Sequence, residues 1–168
     1  MNAPFTVEPL SKTHDRQNFD CGEESLNLFL HLFARQNNEK GLGRTFVAVT
    51  GNDPKIYGYY TISSGSFGFE LAPENLPRYP VPVIHLGRLA VDRSAQGERL
   101  GQALLFNAFK RSVSIGEQVG IYALEVFALN EKARQFYLSF GLVELSDDRM
   151  HLYITIKKIR KMLAEGLD

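Results

Sequence analysis

The run Gln96-Gly97-Glu98-Arg99-Leu100-Gly101 joins an apolar stretch, residues 83–91, to a segment with helical periodicity. A glycine-bearing turn that feeds a helix N-terminus is an anion-binding device. The first amides of a helix have no intrahelical acceptor, the positive end of the macrodipole faces outward, and glycine lets a ligand approach the backbone closely. A phosphate-bearing ligand is the natural occupant. Two familiar phosphate loops are excluded, because neither G-x-G-x-x-G nor G-x-x-x-x-G-K-[ST] occurs.

Other reactive side chains are isolated. His85 and Arg88 are the titratable groups in the apolar stretch, which has no aspartate or glutamate. A lone histidine there reads as a packed core residue. Cys21 is the single cysteine. No His/Asp constellation can be assigned around it, so it reads as a small residue at a helix start rather than a nucleophile. His14, His31 and His151 lack ligand spacing, and no metal site is expected.

Alternating strands and helices must position these groups. Residues 20–33 read as an amphipathic helix with Asp20 as N-cap, since Leu26, Phe29, Leu30 and Phe33 recur on one face. Residues 45–50 and 56–63 read as strands joined by the turn Gly51-Asn52-Asp53-Pro54, a hairpin. Prolines 73, 77, 80 and 82 make 65–82 a loop. Residues 83–91 read as a strand buried on both faces. The loop 92–99 leads into a helix over 100–119, followed by a strand over 121–128. A short helix follows over 131–140, stopped by Gly141. Strands at 142–145 and 150–156 complete the order, and 157–168 is a charged peripheral tail. The fold class is α/β (α+β): a mixed central sheet of six or seven strands, with helices on both faces.

The 168 residues fit one domain, 1–168. A hydrophobic fraction of 44% and a charged fraction of 23% are ordinary for a globular chain. A single cysteine excludes an internal disulfide and points to a reducing cytoplasm. The N-terminal stretch lacks the pattern of a signal peptide, and no apolar run is long enough to span a membrane. Lysine plus arginine equals aspartate plus glutamate, 19 against 19, so overall charge gives no pull toward nucleic acid.

The Gln96–Gly101 run resembles the acetyl-CoA signature of GNAT acetyltransferases, Q/R-x-x-G-x-G/A, with Arg99 where the pattern has its middle glycine. The resemblance implies the GNAT acyl-CoA acyltransferase fold and acetyl-CoA as co-substrate. It implies that Leu89, Ala90, Val91, Gln96, Gly97, Glu98, Arg99, Leu100, Gly101, Gln102 and Asn130 bind it. Amides of Gly97, Arg99, Gly101 and Gln102 would face the pyrophosphate, and the backbone of Leu89 and Val91 would pair with pantetheine. Tyr137 stands in the family context F-Y-x-x-F-G, Phe136 to Gly141, and would protonate the departing thiolate. A phenol near pKa 10 can donate as a thiol near 8.5 charges up.

Further runs are similar to the toxin acetyltransferases of bacterial toxin–antitoxin pairs, the TacT-like group. They are Phe19-Asp20-Cys21-Gly22 with Leu26, Asn27, Phe29 and Leu30; Gly43-Arg44-Thr45-Phe46-Val47; the stretch 56–63; and the stretch 80–92. This implies a bacterial, cytoplasmic enzyme that acetylates the α-amine of aminoacyl-tRNA and blocks translation. It also implies a ribbon-helix-helix antitoxin partner and a homodimer. The missing acidic base fits, because an α-amine near pKa 7.7–8.0 is partly neutral at physiological pH while a lysine near 10.4 is not. Arg44, Arg78, Arg88 and Arg93 are candidate tRNA contacts, and Lys157, Lys158, Arg160 and Lys161 are the densest basic cluster. Two alternatives stand beside this reading. One is a GNAT enzyme for a small-molecule amine or a protein N-terminus. The other is a catalytically silent acyl-CoA-binding module.

Overall fold

A computed structural model describes residues 5–166. The first four residues of the N-terminal stretch, and the last two of the 157–168 segment, lie outside the described residues. Among the described residues, seven strands hydrogen-bond in the order β1-β2-β3-β4-β5-β7-β6, with β4 and β5 parallel and the pairs β1–β2, β2–β3, β5–β7 and β6–β7 antiparallel. They are β1 (Thr6–Pro9), β2 (Arg44–Val49), β3 (Gly58–Phe67), β4 (Val81–Val91), β5 (Ala123–Phe127), β6 (Val143–Glu144) and β7 (His151–Thr155). The mixed sheet expected from the element order is present.

The chain divides into two compact units. One comprises the residues up to Ser63 together with Gly87–Ala108. Its core gathers Phe19, Phe29, Leu30, Ala34, Val47, Ile56, Tyr59 and Ala90. The β2–β3 hairpin forms as expected, and β1 adds an edge strand that the sequence did not signal. Thr-Val-Glu-Pro is short, mostly exposed and ends in proline, which a sheet accepts at an edge.

The first helix begins later and ends later than its pattern suggests. Gly22 turns the chain at φ +93, so α1 spans Glu24–Leu28 with Glu23 as N-cap. Asp20 does not cap it. Its Oδ1 accepts from the Gly22 amide and from Asn27 Nδ2, both at 2.9 Å. A π-helical turn, Phe29–Phe33, follows and then α2, Ala34–Lys40, closed by Gly41 in the left-handed region. The wider π turn shifts the phase of the apolar stripe. Phe33 is therefore half exposed, and Ala34 fills the buried position instead.

The second unit comprises Ser64–Leu86 and the chain from Phe109 onward. Its core holds Phe67, Val81, Val83, Ala123, Leu145 and Tyr153. The Glu74 carboxylate, from the proline-rich stretch, accepts hydrogen bonds from the hydroxyls of Tyr153, at 2.7 Å, and Tyr122. β3 and β4 each extend further into the expected loop 65–82, which keeps only a 3-10 turn at Phe69–Leu71. Helix α3 (Leu100–Gly116) passes from the first unit into the second. Helix α4 (Glu131–Ser139) is followed by Gly141 at φ +97. The segment expected as a charged tail carries helix α5 (Ile156–Ala164), N-capped by Thr155, with Ile156 and Ile159 buried and the basic side chains of Lys157, Lys158, Arg160 and Lys161 outward.

Candidate active site

In the first unit, β4 ends at Val91 and the chain enters a tightly tied loop. Asp92 caps the 3-10 turn Arg93–Ala95 through the Ser94 amide at 3.0 Å, and its Oδ2 also accepts from the Ser94 hydroxyl at 2.6 Å. Its other oxygen accepts from the Asp20 amide at 2.9 Å, and Lys55 Nζ lies 3.9 Å away. Burial alone would raise the Asp92 carboxyl. The hydrogen bonds from Ser94 and the Asp20 amide, with the Lys55 charge, outweigh it and hold the group below the usual carboxylate range. Gln96 Nε2 donates to the carbonyls of Val91 and Cys21, both at 3.0 Å. The signature glutamine is thus a clasp that fixes where the loop leaves the strand.

After this clasp the backbone opens. Gly97 has φ +88 and Arg99 φ +62, so two left-handed residues bend the chain into the start of α3. A Cβ on Gly97 would meet nothing within 4 Å. Among the described residues, no protein acceptor takes the amides of Gly97, Glu98, Arg99, Leu100, Gly101 or Gln102, and the first amide engaged is that of Ala103, to Arg99 O at 3.1 Å. Glu98 and Arg99 are exposed and Gly101 and Gln102 are half-buried, whereas Leu100 anchors the helix in the core at 2% exposure. Unspent amides at a helix start, with the Arg99 guanidinium at the surface, fit a diphosphate. Leu89 and Val91 are half-buried and Ala90 belongs to the core.

In the second unit, Tyr137 lies on the inner face of α4 and is 6% exposed. Phe136 packs edge-on against it at 5.3 Å. Desolvation pushes the phenol above its ordinary value, and no hydrogen bond to its hydroxyl occurs among the described residues. The group therefore keeps its proton at neutral pH with its donor uncommitted. Asn130 serves as the N-cap of α4: its Oδ1 accepts from the Ala133 amide at 2.9 Å, which leaves the Nδ2 hydrogens for another partner.

His85 is not the packed core residue the apolar stretch suggested. Its side chain is 32% exposed, and Nδ1 lies 2.8 Å from Glu125 Oε2. Parallel pairing sets His85 opposite Glu125. Antiparallel pairing brings β7 alongside, so that Glu125 Oε1 meets His151 Nε2 at 2.6 Å. Burial would raise the Glu125 carboxyl, but the hydrogen bonds from His85 and His151 prevail and lower it. Glu125 is the acidic group that reading 83–91 alone could not find. It stands on the neighbouring strand, and only the register joins the two.

The basic candidates differ. Arg44 is exposed and donates to Asn38 O at 2.8 Å. Arg78 is exposed. Arg88 is half-buried with its guanidinium 3.6 Å from the Phe29 ring centre, and desolvation lowers its pKa. Arg93 pairs with Asp20 at 3.3 Å. Lys158 Nζ donates to Gly141 O at 2.9 Å.

Residues 9–142 match the model of the Acetyltransferase (GNAT) family. A tRNA-acetylating toxin of Mycobacterium tuberculosis is 38% identical over 160 residues, covering 93% of this chain and 95% of the relative. Among solved structures, AtaT complexed with acetyl-methionyl-tRNAfMet superposes with a TM-score of 0.89 at 34% identity, covering 95% of this chain and 99% of that one. A tyrosine-to-phenylalanine mutant of the AtaT toxin, bound to the C-terminus of the antitoxin AtaR and to acetyl-CoA, gives a TM-score of 0.82 at 34% identity, with 95% and 98% covered.

Proposed function

Because the chain belongs to the Acetyltransferase (GNAT) family, we propose that it is an aminoacyl-tRNA N-acetyltransferase, the toxin of a toxin–antitoxin pair. It takes acetyl-CoA as co-substrate, acetylates the α-amine of the esterified amino acid and so blocks translation. The observation that carries the reading is the identity of 38% to a tRNA-acetylating toxin along nearly the whole of both chains. The unspent amides of the 97–102 turn support it independently.

The chemistry follows from the residues. Amides from Gly97 to Gln102, with Arg99, hold the diphosphate of the thioester, and the Gln96 clasp keeps them aimed at it. The backbone of Leu89, Ala90 and Val91 pairs with pantetheine. Asn130 contributes its free Nδ2 hydrogens. The neutral α-amine attacks the thioester carbonyl carbon, the C–S electron pair leaves on sulfur and Tyr137 donates its proton to it, while solvent takes the proton lost by the nitrogen and returns one to the phenolate. Arg44, Arg78, Arg88 and Arg93 are proposed to meet the tRNA. The two compact units act together as one acetyltransferase domain in the cytoplasm, as a homodimer, and a ribbon-helix-helix antitoxin restrains it.

The test offers labelled acetyl-CoA with charged tRNA, and in parallel with polyamines, aminoglycosides and peptides. Label should enter charged tRNA and leave with the amino acid on mild alkaline hydrolysis of the ester. Label confined to the other amines would replace this function with that of a small-amine or N-terminal acetyltransferase. Acetyl-CoA binding with no transfer to any amine would mark a silent binding module.

A further inference from the structure

We infer that Asp20 and Asn27 are positioning residues for the diphosphate of acetyl-CoA: from outside the site, they brace the loop whose amides hold it. The inference rests on the co-substrate proposed above. Every residue concerned belongs to the first compact unit.

The segment Phe19–Gly22 lies in neither helix nor strand, so its backbone groups need partners elsewhere. They find them on two sides. Toward the helical stretch, the Phe19 carbonyl accepts from His31 Nε2 at 2.9 Å, and the Cys21 amide donates to Asn27 Oδ1 at 2.9 Å. Toward the loop, the Asp20 amide donates to Asp92 Oδ1 at 2.9 Å, and the Asp20 carbonyl accepts from the Arg93 amide at 2.8 Å. The Cys21 carbonyl accepts from Gln96 Nε2 at 3.0 Å. The segment is thus a connector, with one edge on the helix and the other on residues 92–96.

Two side chains hold the connector in shape. Asn27, buried on α1 at 6% exposure, engages both ends of its amide, the oxygen with Cys21 and the nitrogen with Asp20 Oδ1. Asp20 Oδ1 also closes the turn on the Gly22 amide, and Oδ2 lies 3.3 Å from Arg93 Nε. Hydrogen bonds from Asn27 and the Gly22 amide hold the Asp20 carboxyl below the usual carboxylate range, so it accepts as an anion. The loop passes from Arg93 and Gln96 directly to the amides of 97–102. Hydrogen bonds to an anion weaken steeply with misalignment. Loosening the connector therefore misaims those amides without removing any of them.

Charge gives the test its sign. A carboxylate on a segment tied to a diphosphate loop repels the ligand, so removing it would tighten binding if charge ruled. The brace requires the reverse. Calorimetric titration of the full chain with acetyl-CoA should show Asp20→Ala and Asn27→Ala each binding about 5- to 10-fold more weakly. The double variant should fall within about two-fold of the weaker single one, since the two side chains act through one connector. Asp20→Asn keeps the acceptor and loses the charge, and should stay within about two-fold of wild type. S-acetylpantetheine, which lacks the diphosphate, should bind Asp20→Ala and wild type within about two-fold of each other. Unchanged or tighter acetyl-CoA binding in Asp20→Ala overturns the brace. So does a loss in Asp20→Asn equal to that in Asp20→Ala, or an equal loss for both ligands. Should Asn27→Ala not fold, Asp20→Ala decides, because that side chain is 53% exposed. A wild-type chain that takes up no acetyl-CoA refutes the co-substrate itself, whereas a failure confined to the variants refutes the brace alone.

Discussion

Arg99 holds a left-handed backbone where the family signature has glycine. A side chain there costs roughly 1–2 kcal/mol, and glycine would add back roughly 0.4–1 kcal/mol of unfolded-state freedom. Arg99→Gly should therefore change thermal stability little. It should weaken acetyl-CoA binding about two- to five-fold by removing an exposed cation from the phosphates. Calorimetric titration and a melting curve on the same sample check both halves, and unchanged affinity would show that the guanidinium faces away. Tyr137→Phe should lower turnover at least about 100-fold and leave the melting temperature in place, since the hydroxyl has no hydrogen-bond partner among the described residues. Growth arrest on expression is the second readout. Asn130 separates two roles in one side chain. Asn130→Ser keeps an oxygen to cap α4 and should hold stability while raising the KM for acetyl-CoA. Asn130→Ala should raise it equally and also cost about 1 kcal/mol of stability.

At the scale of elements, Gly58 shows why β3 runs so near α3. A Cβ there would come within 2.8 Å of Leu104 Cδ1 and 3.0 Å of the Ala90 carbonyl. Gly58→Ala should cost about 1–3 kcal/mol, read as a lower midpoint in chemical denaturation, because the carbonyl cannot move aside without disturbing β4. The same scale sets what was legible in the chain. Periodicity located the hairpin, β4, α3, β5 and α4, since each buries one face or both and the side-chain pattern records it. The candidate anion-binding turn at 96–101 could be singled out because glycine spacing is local. Less could be read where the cause is not local. β1 buries too little to leave a pattern, and the π turn at Phe29–Phe33 reverses Phe33 by a change of backbone phase that no side chain announces. Helix α5 hides its apolar positions, Ile156 and Ile159, among lysines. Glu125 was invisible as a partner of His85 because their meeting depends on strand register between residues forty apart.

Across the whole molecule, the buried Glu125 links stability to pH. Its carboxyl is lowered in the folded state, so folding favours the ionised form. That contribution is fully present above the unfolded carboxylate pKa and is lost as pH falls through the lower folded value. Denaturation followed from neutral pH into acid should show stability falling there, and Glu125→Gln should flatten the fall. An unchanged slope in the variant would place the acid-sensitive group elsewhere. Net charge is balanced, 19 against 19, so the proposed tRNA binding would draw on basic side chains segregated over the surface, and its affinity should fall steeply with salt.

A crystal structure with acetyl-CoA bound tests the proposed acetyltransferase mechanism most directly. The expected density has the diphosphate on the amides of residues 97–102 and the sulfur within hydrogen-bonding distance of the Tyr137 hydroxyl. Diphosphate bound elsewhere, or a phenol out of reach of the sulfur, would contradict the acetyltransferase mechanism at its root.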